Sequence, residues 1–325
     1  MVIRNLTAVW ILSQTATYDF DDTLAGGLVS IECIIGFLLL SAVIYGCQTL
    51  PPLKSPFGLL MLNQNVTQLL ACIDSGAFFF FGVLLNSKIV MKNNHVFGFV
   101  SVMLLPVILG SFFLMSANRL CASTMVFTYK RIFTKHKIIT FIFSIWCFSL
   151  VFCAWIFGSR DCKFEFYIYG WFFTGAQYTE KCQDLIVTYN FGVQVTLTSL
   201  IMVSDVVTLF VLVCLRNRVY NKQSAAVRRR EMSFAGQVLI QGIVFVAHGF
   251  WYDMGYAILP GNDDRWKYFF TTSFSSNLLH VFDPIVVFMF NPEFRKWILN
   301  FRFLFQKNKV NVTMISPSAA VSSHT

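Results

Sequence analysis

The sequence Leu109-Gly-Ser-Phe-Phe-Leu-Met-Ser-Ala-Asn-Arg-Leu-Cys-Ala122 decides the architecture of this chain. It ends an apolar run that begins near Val96 and stops at a single charge, Arg119. The next charges form a short basic segment: Lys130, Arg131, Lys135 and Lys137. The run is long enough for a membrane helix, which needs about 20 mostly apolar residues. Arg119 therefore marks the point where a central helix meets water.

The composition indicates a membrane protein. Of the 325 residues, 56% are hydrophobic and 13% are charged, and the mean hydropathy is +0.63. An average soluble domain has roughly 25% charged residues. The net charge of +9 does not indicate a nucleic-acid partner, because the Lys and Arg residues lie in the gaps between apolar runs. We expect a chain that crosses a membrane several times.

Seven apolar runs have the length of a membrane helix. We predict spans one to seven at residues 25–48, 57–84, 97–119, 138–158, 190–215, 234–259 and 268–290. The gaps contain turn signals such as Pro51-Pro52 and Pro260-Gly261. Long uninterrupted runs favour helices in lipid, and the alternation with period two that is typical of a barrel is absent. The predicted fold class is an all-α membrane protein, a seven-transmembrane helix bundle over residues 25–290.

The positive residues predict the orientation of this bundle. With the amino end outside the cell, 17 of the 25 Lys and Arg residues fall in cytoplasmic segments, as the positive-inside rule requires. Residues 1–24 are then extracellular, and Asn5 in Asn5-Leu6-Thr7 is a glycosylation candidate. The same pattern at Asn65 lies inside a predicted span, and at Asn311 it lies in the cytoplasmic tail.

The residues after span seven predict a short amphipathic eighth helix at 291–305. Its apolar residues follow helical spacing on one face, which suits the surface of the membrane lipid: Phe294, Trp297, Ile298, Phe301, Leu304 and Phe305. Asn291 is a candidate N-cap, with Pro292 at the first helical position. The polar residues 306–325 are predicted to form a disordered cytoplasmic tail.

The nine cysteines fall into two groups. Seven lie in apolar runs or at their ends without the spacing of metal ligands, so we interpret them as small apolar residues and predict no metal site. Cys162 and Cys182 both lie in the polar connection between spans four and five. In an oxidising compartment they can pair, and we predict a disulfide within this loop. The alternative is a pair of free thiols.

Acidic residues inside apolar runs often mark function. This chain has five: Glu32, Asp74, Asp205, Asp253 and Asp283. Several share a helical face with other polar residues, which indicates either hydrogen bonds between helices or a ligand cavity in the outer half of the bundle. The candidate pocket residues are Asp74, Met103, Gln194, Thr198, His248, Trp251, Tyr252 and Ser276.

Two short patterns resemble the switch elements of rhodopsin-type G-protein-coupled receptors. Asp283-Pro284-Ile285-Val286-Val287 is similar to an Asn/Asp-Pro-x-x-Tyr pattern, with Val287 in the place of the tyrosine. Arg119 matches the arginine at the inner end of the third helix, but Asn118 replaces the acid before it. We hypothesise that Glu231 pairs with Arg119 instead; alternatively, Arg119 only extends to the interface. The candidate coupling residues are Asn118, Arg119, Glu231, His280, Asp283 and Pro284.

Over nearly its whole length the chain resembles the nematode serpentine receptor class X (Srx) chemoreceptors. Five stretches in order carry the resemblance: Ser55–Gly58, Asn118–Ala122, Ser204–Leu209, Arg228–Phe234 with Gln237 and Gln241, and His280 and Asp283 with Asn291–Arg295. The resemblance implies a rhodopsin-like receptor that binds a small-molecule or peptide cue and activates a heterotrimeric G protein. It also implies the plasma membrane, or the cilium, of a chemosensory neuron.

Other classes of function find less support in the sequence. There is no His-Glu-x-x-His motif, no Gly-rich phosphate loop and no convincing Ser/His/Asp set, so we expect neither catalysis nor a cofactor. The main alternative is a secondary transporter that uses the intramembrane acids, but we find no internal repeat of the kind that such transporters show. A purely structural or trafficking role is the third possibility.

Overall fold

The computed structural model describes residues 18–159, 162–175, 188, 190–214 and 225–297. Within these residues, seven helices are long and apolar enough to cross a membrane. The spans are Phe20–Thr49, Pro56–Leu84, Asn94–Thr124, Lys135–Ile156, Gly192–Val211, Met232–Ile258 and Asp264–Phe290. Each predicted span overlaps one of them, with ends that differ by up to five residues, and span three continues past its predicted end at Arg119 to Thr124. The predicted seven-helix bundle is confirmed.

Capping residues set the ends of the first two spans. Asp22 N donates to the Asp19 carboxylate at 3.0 Å, and Asp19 N donates to the Asp22 carboxylate at 2.8 Å. This capping box satisfies backbone donors that the first turn leaves free, so span one begins at Phe20 rather than at the predicted residue 25. At span two, the Ser55 hydroxyl accepts from Gly58 N, and Pro56 occupies the first helical position.

Several spans depart from one continuous α-helix. In span two the α-helix Pro56–Ala77 continues as the π-helix Phe78–Leu84, and in span five the π-helix Asn190–Val195 precedes the α-helix Thr196–Cys214. Span seven consists of Asp264–Thr271 and Ser273–Phe290, with Pro284 inside the second helix. Spans four and six lie within the longer helices Lys135–Ser159 and Ala225–Ile258. The short helical segments described between spans are Lys88–Lys92, Val126–Ile132 and the 3₁₀ turn Pro51–Leu53.

Span three is the centre of the bundle and packs against spans two, four, five and six. Its residues Leu109, Phe112 and Met115 belong to the main buried cluster. Span four, in contrast, leaves large apolar side chains such as Phe143 and Val151 exposed. Because lipid tails are as apolar as these side chains, close packing and hydrogen bonds between helices must hold such a bundle together, rather than the hydrophobic effect.

A two-stranded hairpin joins spans four and five and adds to the predicted all-helical bundle. Strand β1 (Phe164–Tyr167) pairs antiparallel with β2 (Phe172–Gly175), and Tyr167 lies opposite Phe172. Trp171, in the turn, has a φ of 51°. We call the end of the bundle that carries this hairpin the hairpin end, and the opposite end the Arg119 end.

The chain continues as a helix after span seven. Residues 292–297 are helical, and the Asn291 side chain accepts from Glu293 N at 3.0 Å, as predicted for an N-cap. Phe294 is fully buried and packs against Phe288, with ring centroids 5.6 Å apart. The rest of the predicted eighth helix lies outside the described residues, as do Asn5, Cys182 and the 306–325 tail.

Candidate functional site

A cavity of about 230 Å³ lies between spans two, three, five, six and seven. Phe164, Phe172 and Phe173 of the hairpin line it, and Phe79, Phe112 and Phe245 add aromatic walls from the spans. The cavity also has a set of polar lining residues: Gln68, Ser75, Ser101, Gln194, Gln241, Tyr252, Thr272, Ser273, Ser276, Asn277, His280 and Asp283. Aromatic walls with a limited number of polar groups are typical of small-molecule sites.

Three of the predicted pocket residues line this cavity: Gln194, Tyr252 and Ser276. Two others lie directly behind lining residues. Asp74 accepts a hydrogen bond from Ser101 Oγ at 2.8 Å, and His248 Nε2 lies 3.2 Å from Ser276 Oγ.

The remaining three predicted pocket residues, Met103, Thr198 and Trp251, are not among the described lining residues. Trp251 Nε1 donates to the Phe270 carbonyl at 3.0 Å, while Met103 packs in a cluster between spans three and four. Thr198 is half-buried on span five, and its hydroxyl has no hydrogen-bond partner among the described residues. Helical spacing gave the polar faces of these spans, but it does not give the depth of each residue relative to the cavity.

One wall of the cavity joins spans six and seven through a buried hydrogen bond. Gln241 Nε2 donates to Asp283 Oδ1 at 2.6 Å, and Gln237 Nε2 lies 3.4 Å from Gln241 Oε1. The predicted switch residues His280 and Asp283 therefore also line the cavity. Gln68, Gln241 and Asn277 were not predicted as pocket residues, although Gln241 belongs to the polar face of span six.

A second buried contact joins spans three and five. Ser116 Oγ donates to Asp205 Oδ1 at 2.5 Å and approaches the Ile201 carbonyl at 3.3 Å. Span six comes close at Gly242, where a Cβ atom would lie 2.9 Å from Asp205 Oδ2. Three spans therefore meet at one carboxyl group.

Arg119 lies in a cage of two aromatic rings. Its Cζ atom is 3.6 Å from the ring centroid of Phe57 on span two and 4.7 Å from that of Phe234 on span six. The two ring centroids are 5.4 Å apart, and the arginine is buried. Cation–π contacts of this kind contribute about 0.5–2 kcal/mol. We call these three residues the aromatic cage; they tie span three to spans two and six.

Two further coupling candidates, Asn118 and Glu231, are close to cage residues along the chain. Asn118 Nδ2 donates to the Tyr129 hydroxyl at 3.3 Å, and so connects span three to the short helix Val126–Ile132. Glu231 belongs to the helix Ala225–Ile258, but its side chain lies outside the described part of the chain. Its pairing with Arg119 therefore stays a hypothesis.

A polar junction holds the hairpin end together. Arg265 at the start of span seven forms ion pairs with Asp19 at 2.7 Å and Asp22 at 3.1 Å. Trp171 Nε1 donates to Asp22 Oδ1 at 2.6 Å. Partial burial alone would raise the pKa of the Asp19 carboxyl, but hydrogen bonds from Arg265 and from Asp22 N lower it below its usual value. We call these four residues the Arg265 junction.

Only one of the two cysteines of the predicted disulfide is among the described residues. Cys162 is buried and is not a free thiol, whereas Cys182 lies outside the described residues. The pairing of the two therefore stays a prediction. Among the described side chains, no group of three or more His, Cys, Asp or Glu residues is placed to hold a metal ion.

Comparison with known proteins gives consistent matches over most of the chain. Residues 31–291 match the family model described as serpentine type 7TM GPCR chemoreceptor Srx. The chain is 54% identical over 317 residues to serpentine receptor class X-43 of Caenorhabditis elegans, covering 97% of this chain and 99% of that protein. It is 25% identical over 307 residues to serpentine receptor class X 45 of the same organism, covering 88% and 83%.

The fold is also similar to that of a solved structure. The crystal structure of squid rhodopsin superimposes with a TM-score of 0.72 and covers 95% of this chain and 96% of that chain. The sequence identity is 13%, so this match concerns the fold alone.

Proposed function

This chain belongs to the Srx family of serpentine seven-transmembrane chemoreceptors, and from that membership we propose that it is a G-protein-coupled chemosensory receptor. A small-molecule or peptide cue would bind in the cavity at the hairpin end, and a heterotrimeric G protein would bind at the Arg119 end. The observation that carries the proposal is the position of the two sites on the same helices, with the cavity and the aromatic cage both built from spans two, three and six.

The proposed mechanism is a shift between two arrangements of the bundle. A ligand shifts such an equilibrium only by binding one state more tightly than the other. Span six supplies Gln241 to the cavity wall and Phe234 to the aromatic cage, so a ligand that moves span six also moves Phe234 away from Arg119. Such a movement would open a groove beside Arg119 for the G-protein tail.

The proposal includes an orientation and a location. The excess of Lys and Arg in the segments at the Arg119 end supports an extracellular hairpin end and a plasma-membrane protein with its amino end outside. A Cys162–Cys182 disulfide and a glycan on Asn5 would then both lie on the oxidising side. The match to a chemoreceptor family supports a location in chemosensory neurons, at the plasma membrane or the cilium.

The proposal is tested by screening odorants and pheromones in cells that express the protein, with intracellular calcium as the readout. A cue found in this way should then stimulate nucleotide exchange on a purified G protein in the presence of the receptor. We expect Arg119→Ala to abolish this exchange while binding of the cue is retained. A cue that binds the receptor without changing nucleotide exchange would contradict the proposal.

A flux measurement distinguishes the proposed receptor from the transporter alternative. A transporter driven by Asp205 or Asp283 should produce a cue-dependent proton flux in sealed vesicles, and Asp205→Asn or Asp283→Asn should abolish it. A signalling receptor should produce no such flux. Cue-dependent flux without nucleotide exchange would favour the transporter.

A further inference from the structure

We propose that the Arg265 junction is a latch that holds the hairpin over the cavity, so that molecules reach the cavity from the hairpin end only when the latch opens. The inference rests on the proposed function in so far as the cavity is the ligand site. It assigns a role to four residues that contact neither the cavity nor the aromatic cage: Asp19, Asp22, Trp171 and Arg265.

The hairpin covers the cavity and is anchored on one side by packing. Phe164, Phe172 and Phe173 line the cavity from above. Phe166 N donates to Asn94 Oδ1 at 3.1 Å, and the β1 backbone at Phe164 lies directly against Gly98 of span three, where there is no room for a Cβ atom. Strand β1 is therefore fixed on span three.

The turn of the hairpin is held by the latch and by the packing of Trp171 against Trp266 and Phe269. Trp171 is fully buried, its Nε1 donates to Asp22 Oδ1 at 2.6 Å, and its carbonyl accepts from Ser273 Oγ at 2.6 Å. Arg265 Cζ lies 4.3 Å from the Trp171 ring, and Arg265 Nε donates to the Tyr169 carbonyl at 3.2 Å. One guanidinium thus connects span one, the hairpin turn and span seven.

The chemistry of these contacts favours an element with two discrete states. Trp171 has a φ of 51°, which a large L-residue adopts only when its surroundings hold it there. Asp22 is buried, and its Oδ1 atom accepts from both Trp171 and Arg265 while Oδ2 accepts from Asp19 N. The loss of Arg265 therefore leaves a buried carboxylate without its positive partner. When the charged groups separate, water can replace their contacts. We therefore expect all contacts of the latch to break together, which would free the turn of the hairpin.

The test measures access to the cavity without any ligand. Ser75 lines the cavity and is not one of the four latch residues, so Ser75→Cys places a reactive thiol inside the cavity. In intact cells, 2-(trimethylammonium)ethyl methanethiosulfonate should modify this thiol slowly. With Arg265→Gln added, we expect the modification rate to rise roughly tenfold or more, because the buried ion pair is lost.

Milder variants keep the test valid if Arg265→Gln folds poorly. Asp19→Asn removes only the more exposed ion pair, so a smaller increase is expected, and Arg265→Lys should restore part of the slow rate. The chain without Ser75→Cys gives the background from the native cysteines. Asn262→Cys, on an exposed turn at the hairpin end, should react rapidly and equally in all backgrounds.

The outcomes separate failure of the latch from failure of the proposed orientation. Equal rates at Ser75→Cys with and without the latch substitutions, whether slow or fast, would overturn the latch while leaving the receptor function untouched. Failure of Asn262→Cys to react in intact cells would instead place the hairpin end inside the cell, which would overturn the latch together with the orientation in the proposed function.

Discussion

Arg119 shows how one side chain can be held without the neighbouring acid that its position usually has in rhodopsin-like receptors. Asn118 stands in the place of that acid and bonds to Tyr129, while the guanidinium lies between Phe57 and Phe234. A guanidinium suits such a cage because it is planar and more weakly hydrated than an ammonium group. Phe234 is the cage residue on span six, so its contact with Arg119 joins span six to span three, as does the contact between Phe245 and Phe112 at 5.4 Å between ring centroids.

The first prediction concerns this contact. Phe234→Leu removes one ring face from Arg119, which should cost the resting state about 1 kcal/mol and raise basal nucleotide exchange roughly fivefold. The measurement is cue-independent exchange on a G protein in membranes with equal receptor content. Phe250→Leu is the matched control, because Phe250 lies on the same span with its side chain exposed. An equal change in both variants would argue against the cage.

The polar residues that line the cavity could be predicted only as members of a helical face. Spacing placed Gln194, Ser276 and Asp283 on inward faces of their spans, and all three line the cavity. Spacing did not reveal that Asp74 lies behind Ser101, or that Gln241 rather than Trp251 contacts the cavity. Depth along a span and rotation about its axis depend on the neighbouring helices, so they are not encoded in one segment.

At the scale of elements, a glycine permits the close approach of span one to the helix after span seven. Gly46 lies directly against the Phe294 ring, and a Cβ atom at this position would overlap with that ring. Phe294 is fully buried there. The contact explains why the helix after span seven starts by packing against the bundle, although hydropathy alone predicted only an interfacial helix.

The second prediction follows from this close approach. Gly46→Ala should push Phe294 out of its site and lower the melting temperature of the purified protein by about 5 °C, because overpacking costs on the order of 1–3 kcal/mol. Gly27→Ala is the matched control on the same helix, since a Cβ atom there meets nothing within 4 Å. A similar loss of stability in both variants would indicate that span one does not tolerate substitution at either glycine, whether or not Phe294 is nearby.

The elements themselves were largely predictable because their signals are local. Apolar length fixed the seven spans, and Pro and Asn signals lie at several of their ends. The hairpin was not predicted, since its strands are only four residues each and their aromatic residues pair across the turn rather than along the sequence. The start of span one at Phe20 was also missed, because its first turn contains Asp21 and Asp22.

At the scale of the whole molecule, the proposed orientation rests on the distribution of charge rather than on any single contact. The segments predicted for the Arg119 end, which contain Lys135, Arg228 and Arg295, hold 17 of the 25 Lys and Arg residues. Such a distribution favours insertion with the Arg119 end in the cytoplasm.

The third prediction tests this orientation. Asn5 should carry a glycan when the protein is made in eukaryotic cells, so Asn5→Gln should abolish the shift in electrophoretic mobility that a glycosidase causes. Asn311→Gln is the internal control with the same sequence pattern and should change nothing. A glycan on Asn311 would reverse the orientation and place the Arg119 end outside.

The sequence by itself determined the number and order of the spans and the family, because these depend on apolar length and on short motifs within single segments. Only the tertiary structure decided which distant side chains meet. Arg265 and Asp19 are 246 residues apart, and Asp205 meets Ser116 from 89 residues away. Such pairs exist only when each helix has its particular rotation and depth in the bundle, and those are set by the packing of all seven spans together.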